Sequence, residues 1–190
     1  MNDILVVIDC QNDFISGSLK NEEAAKAIPN IVDKIKNFKG CTILVTKDTH
    51  FNDYLSTKEG RRLPVEHCIK GTDGWKLNAD VKKALDNAVT AGKTVKFIEK
   101  NTFGSLNLME EIRYALRDLE WENYVTSKIE FIGFCTDICV VSNALLAKAE
   151  FYDTNIVVDA ECCAGVTPES HFAALNTMKM CQIDVINENI

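Results

Sequence analysis

Phe131-Ile132-Gly133-Phe134-Cys135-Thr136-Asp137-Ile138-Cys139-Val140 is the run on which the fold turns. Its first half is continuously apolar, the pattern of a strand buried on both faces. Its second half breaks into a helical period that continues to about residue 149. The spacing therefore predicts a strand feeding directly into a helix, with Cys139 at or near the helix N-terminus. Unpaired N–H groups and the helix dipole favour a thiolate there and can also hold an oxyanion. Read alone, Cys139 is equally a buried first-turn cysteine and a candidate nucleophile.

The same strand-then-helix alternation extends along the chain. Strands fit 3–9, 42–47, 94–99, 129–134, 155–159 and 182–187; helices fit 22–38, 78–90, 106–119, 138–149 and, after Pro168, 168–180. Six strands interleaved with helices predict an α/β fold whose parallel sheet is covered on both faces. No repeat or linker divides residues 1–190, so one domain is expected. The stretch 51–75 has no clear period and reads as a long loop whose length suggests function.

With 46% hydrophobic and 26% charged residues, the composition is that of a soluble globular protein. A net charge of −7 argues against a nucleic-acid partner, because phosphate contacts need a clustered basic surface. No apolar run is long enough to span a membrane, and Met1-Asn2-Asp3 lacks a basic signal start; no membrane partner and a cytoplasmic location are expected. The eight cysteines then read as free thiols, most of them small buried hydrophobes.

Ligands of open α/β sheets bind beyond the carboxyl ends of the strands. Asp9 ends the first strand, Asp48 follows the second, Lys100 the third and Cys139 the fourth. Singly, Asp9 is a turn former and Lys100 a solvated lysine. Together they offer a thiol, a base to take its proton and a cation to favour the thiolate. A second constellation, Asp48-Thr49-His50 with His67, is a usual donor set for a divalent transition metal. Its spacing alone fits equally well a polar loop in which His67 makes a structural hydrogen bond.

These residues resemble a known family. Ile8-Asp9-Cys10-Gln11-Asn12-Asp13-Phe14, with Gly17-Ser18-Leu19, looks like the opening motif of nicotinamidases within the isochorismatase-like cysteine hydrolases. Asp48-Thr49-His50 resembles their metal motif, His67-Cys68-Ile69-Lys70-Gly71-Thr72-Asp73-Gly74 their His-Cys segment, and Lys100-Asn101-Thr102-Phe103-Gly104-Ser105 their lysine segment. Gly133 to Val140 resembles the nucleophile motif, and the tail from Asp159 to Leu175, with His171, also fits.

The resemblance implies a three-layer α/β/α fold with a six-stranded parallel sheet of order 3-2-1-4-5-6. It implies a triad of Asp9, Lys100 and Cys139, and one divalent ion (zinc, iron or manganese) on Asp48, His50 and His67. It puts a non-proline cis peptide at Cys135-Thr136, turning the Cys135 N–H beside that of Cys139 as an oxyanion hole. The substrate would be a small amide, nicotinamide first, in a pocket lined by Phe14, Leu63 and Thr136, with a role in NAD salvage and a homo-oligomer possible. Strand 3 would lie two spacings from strand 1, about 9–10 Å, so Lys100 would have to reach inward along its stem.

One departure bears on specificity. Leu63-Pro64 stands where those enzymes carry Trp-Pro, with one extra residue before His67. Phe14 remains as a ring contact, Tyr54 is a further candidate, and Trp75 reads better as a loop anchor. A related hydrolase of another small amide, carbamoyl compound or ureide is the alternative. A thiol redox or metal-storage protein using Cys10, Cys135, Cys139 and Cys162-Cys163 is the alternative from another class. A vinyl-ether hydrolase would not need the Asp-His-His set.

Overall fold

Ile4–Ile8 forms β1, and all five of its residues are buried. Such a strand needs cover on both faces, which places it centrally. In the computed structural model, which describes residues 2–188, Ile4, Val6 and Ile8 enter one core and Leu5 and Val7 the other. Side chains alternate across a strand, so two distinct cores follow directly from this run.

The remaining elements follow in order. They are α1 (Asn12–Ile15), α2 (Glu22–Asn37), β2 (Thr42–Asp48), a 3-10 turn (Tyr54–Ser56), α3 (Lys58–Arg62), α4 (Ala79–Thr90) and β3 (Thr94–Lys100). Then come α5 (Leu106–Leu116), α6 (Trp121–Thr126), β4 (Lys128–Phe134), a π-helical turn (Thr136–Val140), α7 (Val141–Glu150), β5 (Asn155–Ala164), α8 (Pro168–Met180) and β6 (Asp184–Ile186). All pairings between these strands are parallel and the sheet order is β3-β2-β1-β4-β5-β6, as the family resemblance implies.

Ile28, Ile31 and Ile35 of α2, with Val81 and Leu85 of α4, cover one face. Leu108 and Ile112 of α5, Ala144 and Ala147 of α7, and Leu175 and Met178 of α8 cover the other. Asn21 caps α2 by accepting from the N–H groups of Glu23 and Ala24, and Thr167 caps α8 just before Pro168. Each Ile31 or Ile35 side chain, fully buried, is worth about 1.5–3 kcal/mol of transfer free energy. No described helix is long and apolar enough to cross a membrane.

Several expectations shift. β5 continues five residues past 159, to Ala164, because Glu161 interrupts the apolar run without ending the strand. Within it Cys162 and Cys163 point to opposite cores, so they form no paired thiol site. The stretch 51–75 is not wholly irregular, since it contains the 3-10 turn and α3. The helix after β4 opens with the π-helical turn, which carries Cys139 within it. The cis bond lies at Phe134-Cys135, not Cys135-Thr136. The Cys135 N–H belongs to the 134–135 peptide, so it is that bond, one earlier, which reorients it.

Candidate active site

β1 is the switch point of the sheet: β2 lies on one side and β4 on the other, so their connections diverge at the carboxyl edge. Asp9 leaves β1 there with φ of 48°, a left-handed turn that aspartate tolerates better than most residues. Its carboxyl group is fully buried. Thr46 Oγ1 donates to Asp9 Oδ1 at 2.7 Å, and the Lys100 ammonium lies 2.7 Å from Oδ2 without an aligned hydrogen bond.

Lys100, itself 5% exposed, reaches across β2 from the end of β3. Its Nζ donates to Cys139 Sγ at 3.4 Å and lies 3.8 Å from Asp48 Oδ1. One ammonium therefore faces a thiol and two carboxylates. Cys139 is held from behind by Asn143, whose amide donates to the Cys139 carbonyl at 2.7 Å and the Phe103 carbonyl at 2.9 Å. The same side chain accepts from the Ser105 N–H at 2.9 Å, tying the segment after β3 to the π-helical turn.

The electrostatics follow from this packing. Burial pushes the Cys139 thiol well above its ordinary value; Asp9 adds to the rise and Lys100 opposes it. Burial also raises Asp9, with Lys100 the main opposing influence. Burial works against the Lys100 charge, but Asp9, Cys139 and Asp48 outweigh it and hold the ammonium above the usual lysine range. With the thiol neutral, a carboxylate–ammonium pair leaves no net charge buried in this group of three. Moving the thiol proton to Asp9 yields a thiolate–ammonium pair without changing the net buried charge, which is the costly quantity here. Burial and then Asp137 push the Cys135 thiol up to about 12; what distinguishes Cys139 is the Lys100 ammonium donating to its sulfur.

A second cluster adjoins the first through Asp48. His50 Nε2 lies 3.1 Å and His67 Nε2 3.4 Å from Asp48 Oδ2. Burial would raise Asp48, but His50, His67 and Lys100 together hold it well below the usual carboxylate range. His67 Nδ1 pairs with the Val65 carbonyl at 2.9 Å, which assigns the proton to Nδ1 and leaves Nε2 free to ligate. The donor atoms of Asp48, His50 and His67 lie within 4.8 Å of one another, all three residues buried. Ligands about 2.0–2.1 Å from a tetrahedral ion sit roughly 3.3 Å apart, so this donor set fits a divalent metal.

Two neighbours complete the cluster: Glu59 escaped the sequence reading, whereas Tyr54 was already a candidate ring contact there. Glu59 Oε1, from α3, lies 3.7 Å from both His50 Nε2 and His67 Nε2 and is a ready additional oxygen donor. Tyr54 is fully buried and packs its ring 4.7 Å from that of His50 and 5.0 Å from that of His67. Its hydroxyl donates to the Leu63 carbonyl at 3.0 Å, so Tyr54 walls the cluster and anchors the chain near Leu63.

Asp48, His50, His67, Cys135 and Cys139 open onto one cleft of about 1240 Å³, whose wall includes Phe14 and Leu63. Phe14 meets His67 edge-on at 5.9 Å. Asp9 and Lys100 lie behind this surface. Thr136 does not line the cleft, contrary to the sequence expectation; it is fully buried with its hydroxyl 2.8 Å from His171 Nδ1. The π-helical turn points that side chain toward α8 instead. Trp75 is the loop anchor anticipated: its indole N–H donates to Thr49 Oγ1 at 2.9 Å and Lys47 covers its ring.

A family model described as the isochorismatase domain matches residues 3–189. A nicotinamidase of Schizosaccharomyces pombe is 26% identical to this chain, over 97% of this chain and 92% of the yeast protein. A nicotinamidase of Saccharomyces cerevisiae is 28% identical, over 82% and 85%. Among solved structures, a nicotinamidase/pyrazinamidase of Bacillus subtilis superposes with a TM-score of 0.81 at 27% identity, over 97% of this chain and 99% of that one. A pyrazinamidase of Pyrococcus horikoshii in complex with zinc shares the fold, with a TM-score of 0.73 at 23% identity over 99% of this chain and all of that one.

Proposed function

The chain belongs to the isochorismatase domain family, and on that footing we propose that it is an amidohydrolase converting nicotinamide to nicotinate and ammonia through a thioester on Cys139. The observation that carries the reading is the Lys100 ammonium held between the Asp9 carboxylate at 2.7 Å and the Cys139 thiol at 3.4 Å, at the floor of an open cleft.

Asp9 accepts the Cys139 proton while Lys100 stabilises the resulting thiolate. Sulfur attacks the amide carbonyl carbon, and the backbone N–H groups of Cys135 and Cys139 receive the oxyanion. Asp9 returns the proton to the departing nitrogen, releasing ammonia and leaving the thioester. Asp9 next takes a proton from water, whose oxygen attacks the thioester carbon. Collapse releases the carboxylic acid, and the proton goes back to the Cys139 sulfur. Thr46 keeps Asp9 oriented throughout by its bond to Oδ1.

Asp48, His50 and His67, with Glu59 beside them, would hold one divalent ion, whose contribution when bound is an electrophilic anchor for the substrate ring nitrogen. The zinc in the Pyrococcus structure supports that metal, and the carboxylate–imidazole donor set also accepts iron or manganese. The eight free cysteines support a reducing, cytoplasmic setting, and the net charge of −7 supports a small-molecule rather than nucleic-acid partner.

A second reading is favoured by the cleft. Its volume of about 1240 Å³ greatly exceeds a nine-heavy-atom ligand, and Leu63 contributes no aromatic face, so a bulkier aromatic amide is a fitting alternative substrate. Ammonia release from nicotinamide and from a panel of small and substituted amides, with and without chelator, separates the two. Cys139→Ala should reduce nicotinamide turnover by at least about 10⁴-fold while calorimetric substrate binding persists. Normal turnover in that variant defeats the thioester mechanism.

A further inference from the structure

Two side chains just beyond β1, Gln11 immediately before α1 and Asp13 in its first turn, take no part in the proposed chemistry, yet both end on the backbone of the metal-ligand segments. Gln11 is fully buried, and its amide saturates residue 48: Oε1 accepts from the Asp48 N–H at 2.7 Å and Nε2 donates to the Asp48 carbonyl at 2.8 Å. The other Nε2 hydrogen reaches the Trp75 carbonyl at 3.0 Å. A strand partner would satisfy a peptide in the same way, so Gln11, three residues past the end of β1, supplies the missing pairing at Asp48, the residue that carries the shared carboxylate.

Asp13 does the corresponding work for His67. Its Oδ2 accepts from the Cys68 N–H at 2.7 Å, which fixes the peptide joining His67 to Cys68, and Oδ1 accepts from the Ser18 N–H at 3.0 Å. Cys68 has φ of 48°, a turn that aims His67 inward and needs holding. The Cys68 carbonyl in turn accepts from the His50 N–H at 3.0 Å. No described cation pairs with the Asp13 carboxylate; backbone donors hold it. The space is made for it, since a Cβ on Gly17 would come within 2.2 Å of Oδ1 and one on Gly74 within 2.1 Å of Oδ2.

We propose that Gln11 and Asp13 are positioning residues that hold Asp48 and His67 in the arrangement that takes up a divalent ion. The inference rests on the Asp48-His50-His67 ion reading and is independent of which amide is cleaved. Outer groups that orient ligands in this way typically govern metal affinity without touching the metal.

The test is Zn²⁺ affinity of the full chain, read by competition with a chromogenic chelator, in Asp13→Asn and separately in Gln11→Glu. The rate of iodoacetamide alkylation at Cys139, followed by mass spectrometry on metal-free protein, reports the triad in parallel. Each variant should bind Zn²⁺ about 10–100-fold more weakly with the alkylation rate unchanged. Unchanged Zn²⁺ affinity overturns the proposal. So does slowed alkylation in step with lost affinity, or a metal-free variant that does not fold, because either makes the residue a general structural support. A wild-type chain that takes up no Zn²⁺ removes the ion reading itself; failure of the brace alone leaves wild-type binding intact.

Discussion

Lys100 at the end of β3 sets its ammonium 2.7 Å from the Asp9 carboxylate at the end of β1, across the whole width of β2. The extended lysine stem spans the two strand spacings that separate the residues. The pair brings one cation beside the Asp9 carboxylate, the Cys139 thiol and the Asp48 carboxylate, so the two halves of the candidate site share a single charge balance.

Replacing Lys100 by Met should therefore damage both halves. It leaves the Asp9 and Asp48 carboxylates and a thiol without their buried cation. Removing one partner of such a buried pair typically costs about 3–5 kcal/mol. Urea unfolding at pH 7 should show a loss of that size, and alkylation of Cys139 should need a higher pH than in the wild type. Wild-type stability together with wild-type alkylation would refute the shared balance.

Asn143 offers a cleaner structural probe. Asn143→Leu keeps the forked shape, with added bulk, but strands the Ser105 N–H and removes the donor to the Cys139 and Phe103 carbonyls. Leaving those buried groups unpaired should cost about 2–4 kcal/mol in denaturant unfolding. Turnover should fall while Zn²⁺ binding stays, because Asn143 touches the nucleophile's turn and not the metal ligands.

His171 makes stability depend on pH in a defined direction. Burial lowers its pKa below the ordinary 6.5, with Asp137 and Glu188 opposing. Between the lowered folded value and 6.5 the unfolded chain binds more protons, so stability rises with pH in that window. The contribution is complete above 6.5 and is lost as pH falls through the folded value. Thermal melts of His171→Gln should lose less stability than wild type between pH 7 and pH 5. Parallel curves for the two proteins would rule out the contribution.

Leu63→Trp tests what sets substrate size. An added aromatic face on the cleft wall should lower the KM for nicotinamide about 3–10-fold, in line with aromatic pair energies of about 0.5–1.5 kcal/mol. Bulkier aromatic amides should lose kcat/KM in the same variant. Equal changes for small and large amides would show that Leu63 does not limit the cleft.

Much of this architecture was legible in the chain. The runs Ile4–Ile8 and Lys128–Phe134 announce strands buried on both faces, and Asp9 and Cys139 follow their carboxyl ends, which locates the site at one sheet edge. What escaped has a common cause. Thr46, Asn143 and Glu59 act on partners distant in the chain or across irregular segments, and no local period marks a residue for such a bond. Thr136 was misplaced because a π-helical turn rotates its side chain away from the cleft, and five residues carry no periodic signature of that turn. β5 was cut short because its polar Glu161 looks like an end when only the pattern is read.

Sequence by itself determined the family, the alternation of strand and helix and the identity of the groups at the carboxyl edge, because these depend on local apolar period and on motifs within a few residues. Tertiary structure alone decided how those groups ionise and which atoms meet. Lys100 touches Asp9 only because β2 separates their strands by a distance its stem can cross. Burial at the floor of the cleft raises the Cys139 thiol, and the ammonium that the fold sets beside it opposes the rise.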